Sequence, residues 1–281
     1  MHLLILAGFC IPLAVIVVTQ WPFTLPLTFG IVFSFLLDII GLAALVGCCL
    51  AIVRRYVIKP ARLDNTRDDA LALILVTSIF FLGFVIEGFR IGITQPSNAL
   101  WNPVGLFFAR VLAALGMTGG AGAVFLHHLI WRIHFFLVLA FIAYLPYSKL
   151  FHIVSATLNT ILRSTGPKAV LAPITDFETR ETYGVTTMPE FTWKQLLDLD
   201  ACTRCGRCQD RCPAYLTEKP LSPKKLIQDL KTHLQKERPI LLGNGREKEA
   251  QALTPIMGNA VTDDELWSCT SCMSCMEQCP V

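Results

Sequence analysis

Four apolar runs, each close to the length of a bilayer crossing, occupy the first half of the chain: Leu3–Gln20, Gly30–Val53, Ala70–Phe89 and Ala123–Tyr147. About 20 apolar residues in a helix match the thickness of the hydrocarbon core. Lipid offers backbone N–H and C=O groups no partner, so a chain that crosses it must satisfy those groups within itself. Runs of this length therefore predict a transmembrane helical bundle. The third run carries Glu87 near its end, and the second is interrupted by Asp38 alone. A fifth run, Val104–Met117, is shorter and contains Arg110; it reads as a span or as a half-buried or interfacial helix.

Composition agrees with two unlike halves. Hydrophobic residues make up 53% of the 281-residue chain and charged residues only 16%, against roughly 25% charged in soluble domains. Polar and charged side chains gather after Lys149. A net charge of +3 makes no case for a nucleic-acid partner, whereas the apolar half implies membrane lipid. The first run lacks a basic segment before it and an A-x-A cleavage site, so it is expected to be a retained span rather than a cleaved signal.

The eleven cysteines divide sharply. Cys10, Cys48 and Cys49 lie in apolar runs, where a thiol behaves as a small hydrophobe. The other eight form Cys202-Thr-Arg-Cys205-Gly-Arg-Cys208-Gln-Asp-Arg-Cys212-Pro213 and Cys269-Thr-Ser-Cys272-Met-Ser-Cys275-Met-Glu-Gln-Cys279-Pro280. Both are C-x2-C-x2-C-x3-C-P, the run that binds [4Fe–4S] clusters in bacterial dicluster ferredoxins. Three close thiolates wrap a turn of backbone around one face of a cubane, and the fourth cysteine opens a segment leading away to the other cluster. The expected ligand sets are thus Cys202, Cys205, Cys208 and Cys279 for one cluster, and Cys269, Cys272, Cys275 and Cys212 for the second. Structural zinc is the competing reading, but zinc sites usually pair two C-x2-C units. Free thiolates at ligand spacing belong to a reducing compartment.

That compartment bears on topology. The loop Arg54–Asp69 holds Arg54, Arg55, Lys59, Arg62 and Arg67, which places it on the cytoplasmic side. Without a twin-arginine signal, a folded cluster domain is also expected there. Both hold if two spans, Ala70–Phe89 and Ala123–Tyr147, separate them and Val104–Met117 does not cross. The expected protein is a multi-pass one of the cytoplasmic membrane, with its cluster domain on the cytoplasmic side.

Histidines and charges within the apolar half suggest further chemistry. His127, His134 and His152 fall on one stripe if a helix continues through Pro146, because seven and eighteen residues return nearly to the same face. His134 and His152 would then lie about 27 Å apart along the axis, and each is a candidate axial ligand of a haem b. The competing reading is that these are interfacial histidines bonded to neighbours or headgroups. His128 points about 100° away. Glu87 and Arg90 face each other as a structural pair or as a proton or quinone contact, and Asp38 and Arg110 carry the same two readings, pairing with each other being one option.

The remaining chain reads as linker and helix. From Ser155 to about Met188, Thr, Pro, Gly and charge dominate, as in Ser164-Thr-Gly-Pro167 and Thr175-Asp-Phe-Glu-Thr179, which predicts a loop. A short helix from Thr192 leads into the first cysteine run. Ser222 and Pro223 mark the start of a helix from Lys224 to about Glu237, with Leu226, Ile227, Leu230 and Leu234 on one face. Thr262-Asp-Asp-Glu265 is a capping box ahead of Cys269. The expected fold is all-α: a transmembrane helical domain over 1–153, a linker over 154–190, and an α-helical dicluster ferredoxin-type domain over 191–281.

The stretch from His134 through Pro146 to His152 resembles the last haem-bearing helix of respiratory nitrate reductase gamma subunits. The cysteine domain resembles the cluster-binding part of heterodisulfide reductase and its relatives. Their fusion is similar to membrane-bound iron–sulfur oxidoreductases that pass electrons from electron-transferring flavoprotein to menaquinone. This resemblance implies an oxidoreductase with a cytoplasmic flavoprotein partner, menaquinone or another quinone, and haem b beside the two clusters. In two respects the chain departs from these groups. The three earlier spans carry no histidine to serve as a second axial ligand, and the sequence ends at Val281, where such proteins usually continue into domains with paired cysteines. That part is expected in a longer chain or a separate subunit. Other functions in view are a heterodisulfide-reductase-type enzyme acting on a thiol–disulfide substrate, and an anchor that only relays electrons in a larger complex.

Overall fold

The computed structural model describes residues 1–20, 27–163, 166, 177–179, 183–243 and 253–281. Two compact units emerge: Met1–Pro60 with Asn65–Lys149, and Ala61–Asp64 with Leu150–Val281. Among the described residues every named element is helical, and the only β feature is an isolated bridge between Met257 and Val261.

The first unit is built from α1 (His2–Gln20), α2 (Leu27–Ile52), α3 (Arg67–Thr94), α4 (Pro103–Ala114) and α5 (Gly120–Tyr144). A π-helical stretch, Val53–Ile58, extends α2 and stops where Lys59 turns left-handed. Thr66 starts α3 through a reciprocal capping box with Asp69. Three described helices are long and apolar enough to cross a membrane: Phe29–Ile58, Arg67–Thr94 and Gly120–Tyr147. Helix α1 has 19 residues, although its continuously described apolar part, His2–Val15, is shorter than a span. The 12 residues of α4 reach only about 18 Å, well short of a hydrocarbon core of roughly 30 Å.

Small residues let these helices approach closely, as they do where lipid replaces water. A Cβ on Gly8 would overlap the Ala44 Cβ, and one on Gly88 would lie 2.8 Å from the Phe108 Cβ. Phe9 stacks on Phe141 and Phe84 on Phe108. Large apolar side chains, among them Phe125, Ile133, Phe136 and Ile142, remain exposed along α5. Such a surface suits lipid contact rather than water.

Two readings of the first unit are corrected. Asp38 does not pair with Arg110, which is exposed. Its carboxylate instead accepts the Val104 N–H at 2.6 Å and the Gly105 N–H at 3.1 Å, capping α4 from α2. Asn102, the residue at that helix start, makes no side-chain cap bond, so the free N–H groups need an outside acceptor. Nor does α5 continue to His152. It ends at Tyr144, followed by the 3-10 turns Leu145–Tyr147 and Lys149–Phe151. Pro146 has no N–H to donate and its ring crowds the carbonyl four residues back. His152 begins a new helix, in the second unit, so no one helix carries His127, His134 and His152.

The second unit carries α6 (His152–Ile161), α7 (Trp193–Ala201), α8 (Pro213–Leu216), α9 (Pro223–Leu242), α10 (Asp263–Trp267) and α11 (Ser274–Glu277). Residues 155–161, expected as the start of a loop, are helical. They pack on α7 through Ser155 Oγ donating to Asp200 O at 3.1 Å and Asn159 Nδ2 to Asp198 at 2.8 Å. Most of the remaining linker reading, 164–165, 167–176 and 180–182, lies outside the described residues. Thr192 and Gln195 form the capping box that opens α7. Helix α9 starts as expected, with Ser222 Oγ accepting the Lys225 N–H, but runs past Glu237 and through Pro239 to Leu242. Its Leu226, Leu230 and Leu234 pack on a core of Met188, Ile256 and Val261.

Candidate metal centres

The two cysteine runs fold alike. In the first, Arg204 (φ 58°) and Gly206 (φ 73°) are left-handed; at the matching places of the second, so are Ser271 (φ 51°) and Met273 (φ 60°). Left-handed turns between successive cysteines curl each run into a concave loop. Three of the four positions are not glycine, and such backbone costs of order 1–3 kcal/mol each where nothing compensates. Cys212 then stands in extended conformation ahead of Pro213, the first residue of α8. The runs touch through Ser274 Oγ, which donates to Arg211 O at 2.9 Å.

The thiols gather in two mixed groups. Burial, followed by the neighbouring Cys202, Cys205 and Cys279, pushes the Cys208 thiol up to about 11. Burial of its sulfur, with Cys202 and Cys205 alongside, likewise raises Cys279, although the residue as a whole is exposed. Cys275 is raised by burial and by Cys212 and Cys269. Cys272 is lowered, chiefly by the Ser274 N–H and then by the Thr270 hydroxyl. Cys279 of the second run thus lies near Cys202, Cys205 and Cys208 of the first, and Cys212 of the first lies near Cys275 of the second. Thiols pressed together and buried lose their protons readily only to a cation, which is the behaviour of a metal ligand. Among the described residues, no three His, Cys, Asp or Glu side chains close tightly enough to hold a single ion. A cubane takes one thiolate on each iron and needs a wider set. All eleven cysteines are free thiols. The donor set thus fits two iron–sulfur cubanes, which would supply one-electron transfer when bound.

Two partners of the first run were not legible in the sequence. Gln228, on α9, donates its side-chain amide to Cys202 Sγ at 3.2 Å. The segment Ala61–Asp64 also packs here. Arg62 meets Asp210 at 3.1 Å, while Asp64 meets Lys224 at 2.7 Å and Arg204 at 3.4 Å. Lys224, buried, also donates to Arg62 O at 2.8 Å. Burial opposes ionisation of Asp64, but Lys224 and Arg204 prevail and hold it below its ordinary 3.8. Gly206 is required twice, by its positive φ and because a Cβ there would stand 2.6 Å from Arg62 O.

In the first unit, His127 and His134 of α5 each keep Nδ1 buried without a hydrogen-bond partner. Gly83 of α3 leaves open space beside His134, with His134 Cε1 4.0 Å from where a Cβ would be. An unpartnered buried imidazole next to a missing side chain fits an axial haem ligand. Helices α2, α3 and α4 contribute no histidine, while α1 begins at His2. Glu87 and Arg90 form the expected pair, two hydrogen bonds at 2.6 and 2.8 Å.

An apolar helical unit of spanning length joined to paired cysteine loops defines a membrane-anchored iron–sulfur protein of the electron-transfer class. Residues 3–166 match the nitrate reductase gamma subunit family, and the chain belongs to it; residues 194–280 match the 4Fe-4S dicluster domain. The EtfAB:quinone oxidoreductase of Syntrophomonas wolfei is 35% identical over 289 residues, covering 93% of this chain and 40% of its own length. The probable iron-sulfur-binding oxidoreductase FadF of Bacillus subtilis is 30% identical over 283 residues, covering 89% of this chain and 39% of its own length. An iron-sulfur subunit of the CoB–CoM heterodisulfide reductase of Methanopyrus kandleri is 29% identical over 97 residues, 33% of this chain and 36% of its own length. The chain spans about two fifths of the length of the first two relatives. No solved structure matches it.

Proposed function

We propose that this chain is the electron-relaying part of a quinone-linked oxidoreductase. Electrons enter from a soluble flavoprotein of the electron-transferring type, cross two [4Fe–4S] clusters and reach haem b or quinone in the membrane. The closeness of Cys279 to Cys202, Cys205 and Cys208, and of Cys212 to Cys275, carries this reading, because two adjacent cubanes would account for it. The first cluster takes Cys202, Cys205, Cys208 and Cys279; the second takes Cys269, Cys272, Cys275 and Cys212. The protein holds and tunes these groups, and the groups perform the electron chemistry. His134, with His127 two turns away on the same face, is the first proposed haem ligand, and His152, at the start of α6, is a further candidate.

The cluster domain and the loop Arg54–Asp69 share the cytoplasmic side in this reading, with α1, α2, α3 and α5 crossing and α4 not. Residues Ala61–Asp64 of that loop are part of the cluster-bearing unit, which favours a shared side. The similarity to the heterodisulfide reductase iron-sulfur subunit covers a third of the chain and brings no thiol–disulfide chemistry with it.

The direct test is anaerobic titration of the purified, membrane-embedded protein with menaquinol and with reduced flavoprotein. Cluster EPR signals should respond to both, and a pyridine haemochrome assay should show at least one haem b. Clusters that exchange electrons with neither would sink the relay. Absence of haem from a cluster-replete sample would leave His127 and His134 structural.

A further inference from the structure

A cleft on the second unit brings like charges together beside the candidate ligands. It is lined by Arg62, Arg207, Asp210, Arg211 and Gln278. Three of these directly precede cysteines of the runs: Arg207 before Cys208, Arg211 before Cys212 and Gln278 before Cys279. Arg62 arrives from the distant segment Ala61–Asp64 and is held by Asp210 at 3.1 Å. That ion pair cancels one positive charge and fixes the Arg62 guanidinium in place. Arg207 and Arg211 are exposed, and neither pairs with a carboxylate among the described residues.

We propose that this arginine cleft is the docking site for the acidic surface of the soluble redox protein that exchanges electrons with the first cluster. The inference rests on the relay function proposed above. Its occupant follows from charge: Arg207 and Arg211, which pair with no carboxylate among the described residues, call for carboxylates, which guanidiniums bind through paired N–H groups. The position follows from covalent adjacency, since a partner seated here abuts the residues next to Cys208, Cys212 and Cys279. Its consequence is kinetic, because complementary charge mainly raises the rate of encounter and makes that rate sensitive to salt. Solvated arginines with no partner are the alternative.

The test is stopped-flow reduction of the clusters, in the full membrane-embedded protein, by the reduced electron-transferring flavoprotein proposed as donor. For the wild type, the second-order rate should fall steeply as ionic strength rises, and poly-L-glutamate should compete. Arg207→Glu with Arg211→Glu should lower the low-salt rate on the order of tenfold or more, with iron content and the EPR of chemically reduced protein unchanged. Arg207→Gln with Arg211→Gln, which removes both positive charges without adding negative ones beside the cysteines, provides the same reading if the glutamate variant fails to assemble its clusters. Variants that keep their iron and accept electrons at the wild-type rate overturn the docking site while leaving the relay intact. A wild-type protein that the flavoprotein cannot reduce, but menaquinol can, overturns the donor assignment and the docking site with it.

Discussion

Single cysteines of one run stand beside thiols of the other. Cys212 lies in the first run by sequence, yet its thiol is felt by Cys275 of the second. If the ligation is crossed, Cys212→Ala leaves three ligands on the cluster of Cys269, Cys272 and Cys275, while Cys205→Ala damages the other. EPR of the two variants should show different surviving signals, and the intact domain should hold about eight irons, two cubanes of the type the runs imply. Loss of the same signal in both variants would mean that each run holds its own cluster. Gln228 is the second decision at this scale. Its amide N–H points at Cys202 Sγ at 3.2 Å and would favour the more negative, reduced state of a cluster held by Cys202. Gln228→Leu should lower the midpoint potential of the first cluster by about 40 mV, if the bond gives about 1 kcal/mol more to the reduced form. Redox titration followed by EPR measures it, and an unchanged potential would reduce Gln228 to packing.

Among the elements, α4 shows how a helix too short to cross is held in an apolar bundle. Its N-terminus has no cap of its own, and Asp38 supplies the acceptor from the facing α2. Removing a carboxylate that satisfies two N–H groups at a buried site leaves both without partners. Asp38→Ala should therefore cost about 1–3 kcal/mol, whereas Asp38→Asn, which keeps an acceptor oxygen, should cost less. Thermal unfolding in detergent ranks the two, and equal losses would show that charge rather than hydrogen bonding holds α4. The end of α5 illustrates the opposite case, a helix stopped by its own sequence. Pro146 divides what periodicity alone joined, so His134 and His152 belong to different helices and different units.

For the molecule as a whole, topology is the quantity that matters most to function. The basic loop and the cluster-bearing unit are linked by Ala61–Asp64, which lies between α2 and α3 in sequence and packs on the first cysteine run. Cysteines introduced as Asn65→Cys in the loop and Lys219→Cys near the cluster run should both resist an impermeant thiol reagent in intact cells. Both should react in inverted membranes. Labelling of the loop position alone from outside would overturn the four-span count and place α4 across the bilayer.

What the sequence determined by itself is whatever short stretches of chain decide. Spans followed from apolar length, helix starts from the boxes Thr192–Gln195 and Thr262–Glu265 and the cap at Ser222, and cluster binding from the spacing of two cysteine runs. In each case the interacting groups lie within one or two turns of each other, so the backbone that joins them also places them. Tertiary structure decided the rest: Asp38 beneath α4, Arg62 and Asp64 on the first cysteine run, Gln228 beside Cys202, and Cys279 among the thiols of the other run. Those partners are separated by dozens of residues, and the polar groups they satisfy become costly only once packing has removed water from them. No window of sequence contains both halves of such a contact, which is why only the folded chain could bring them together.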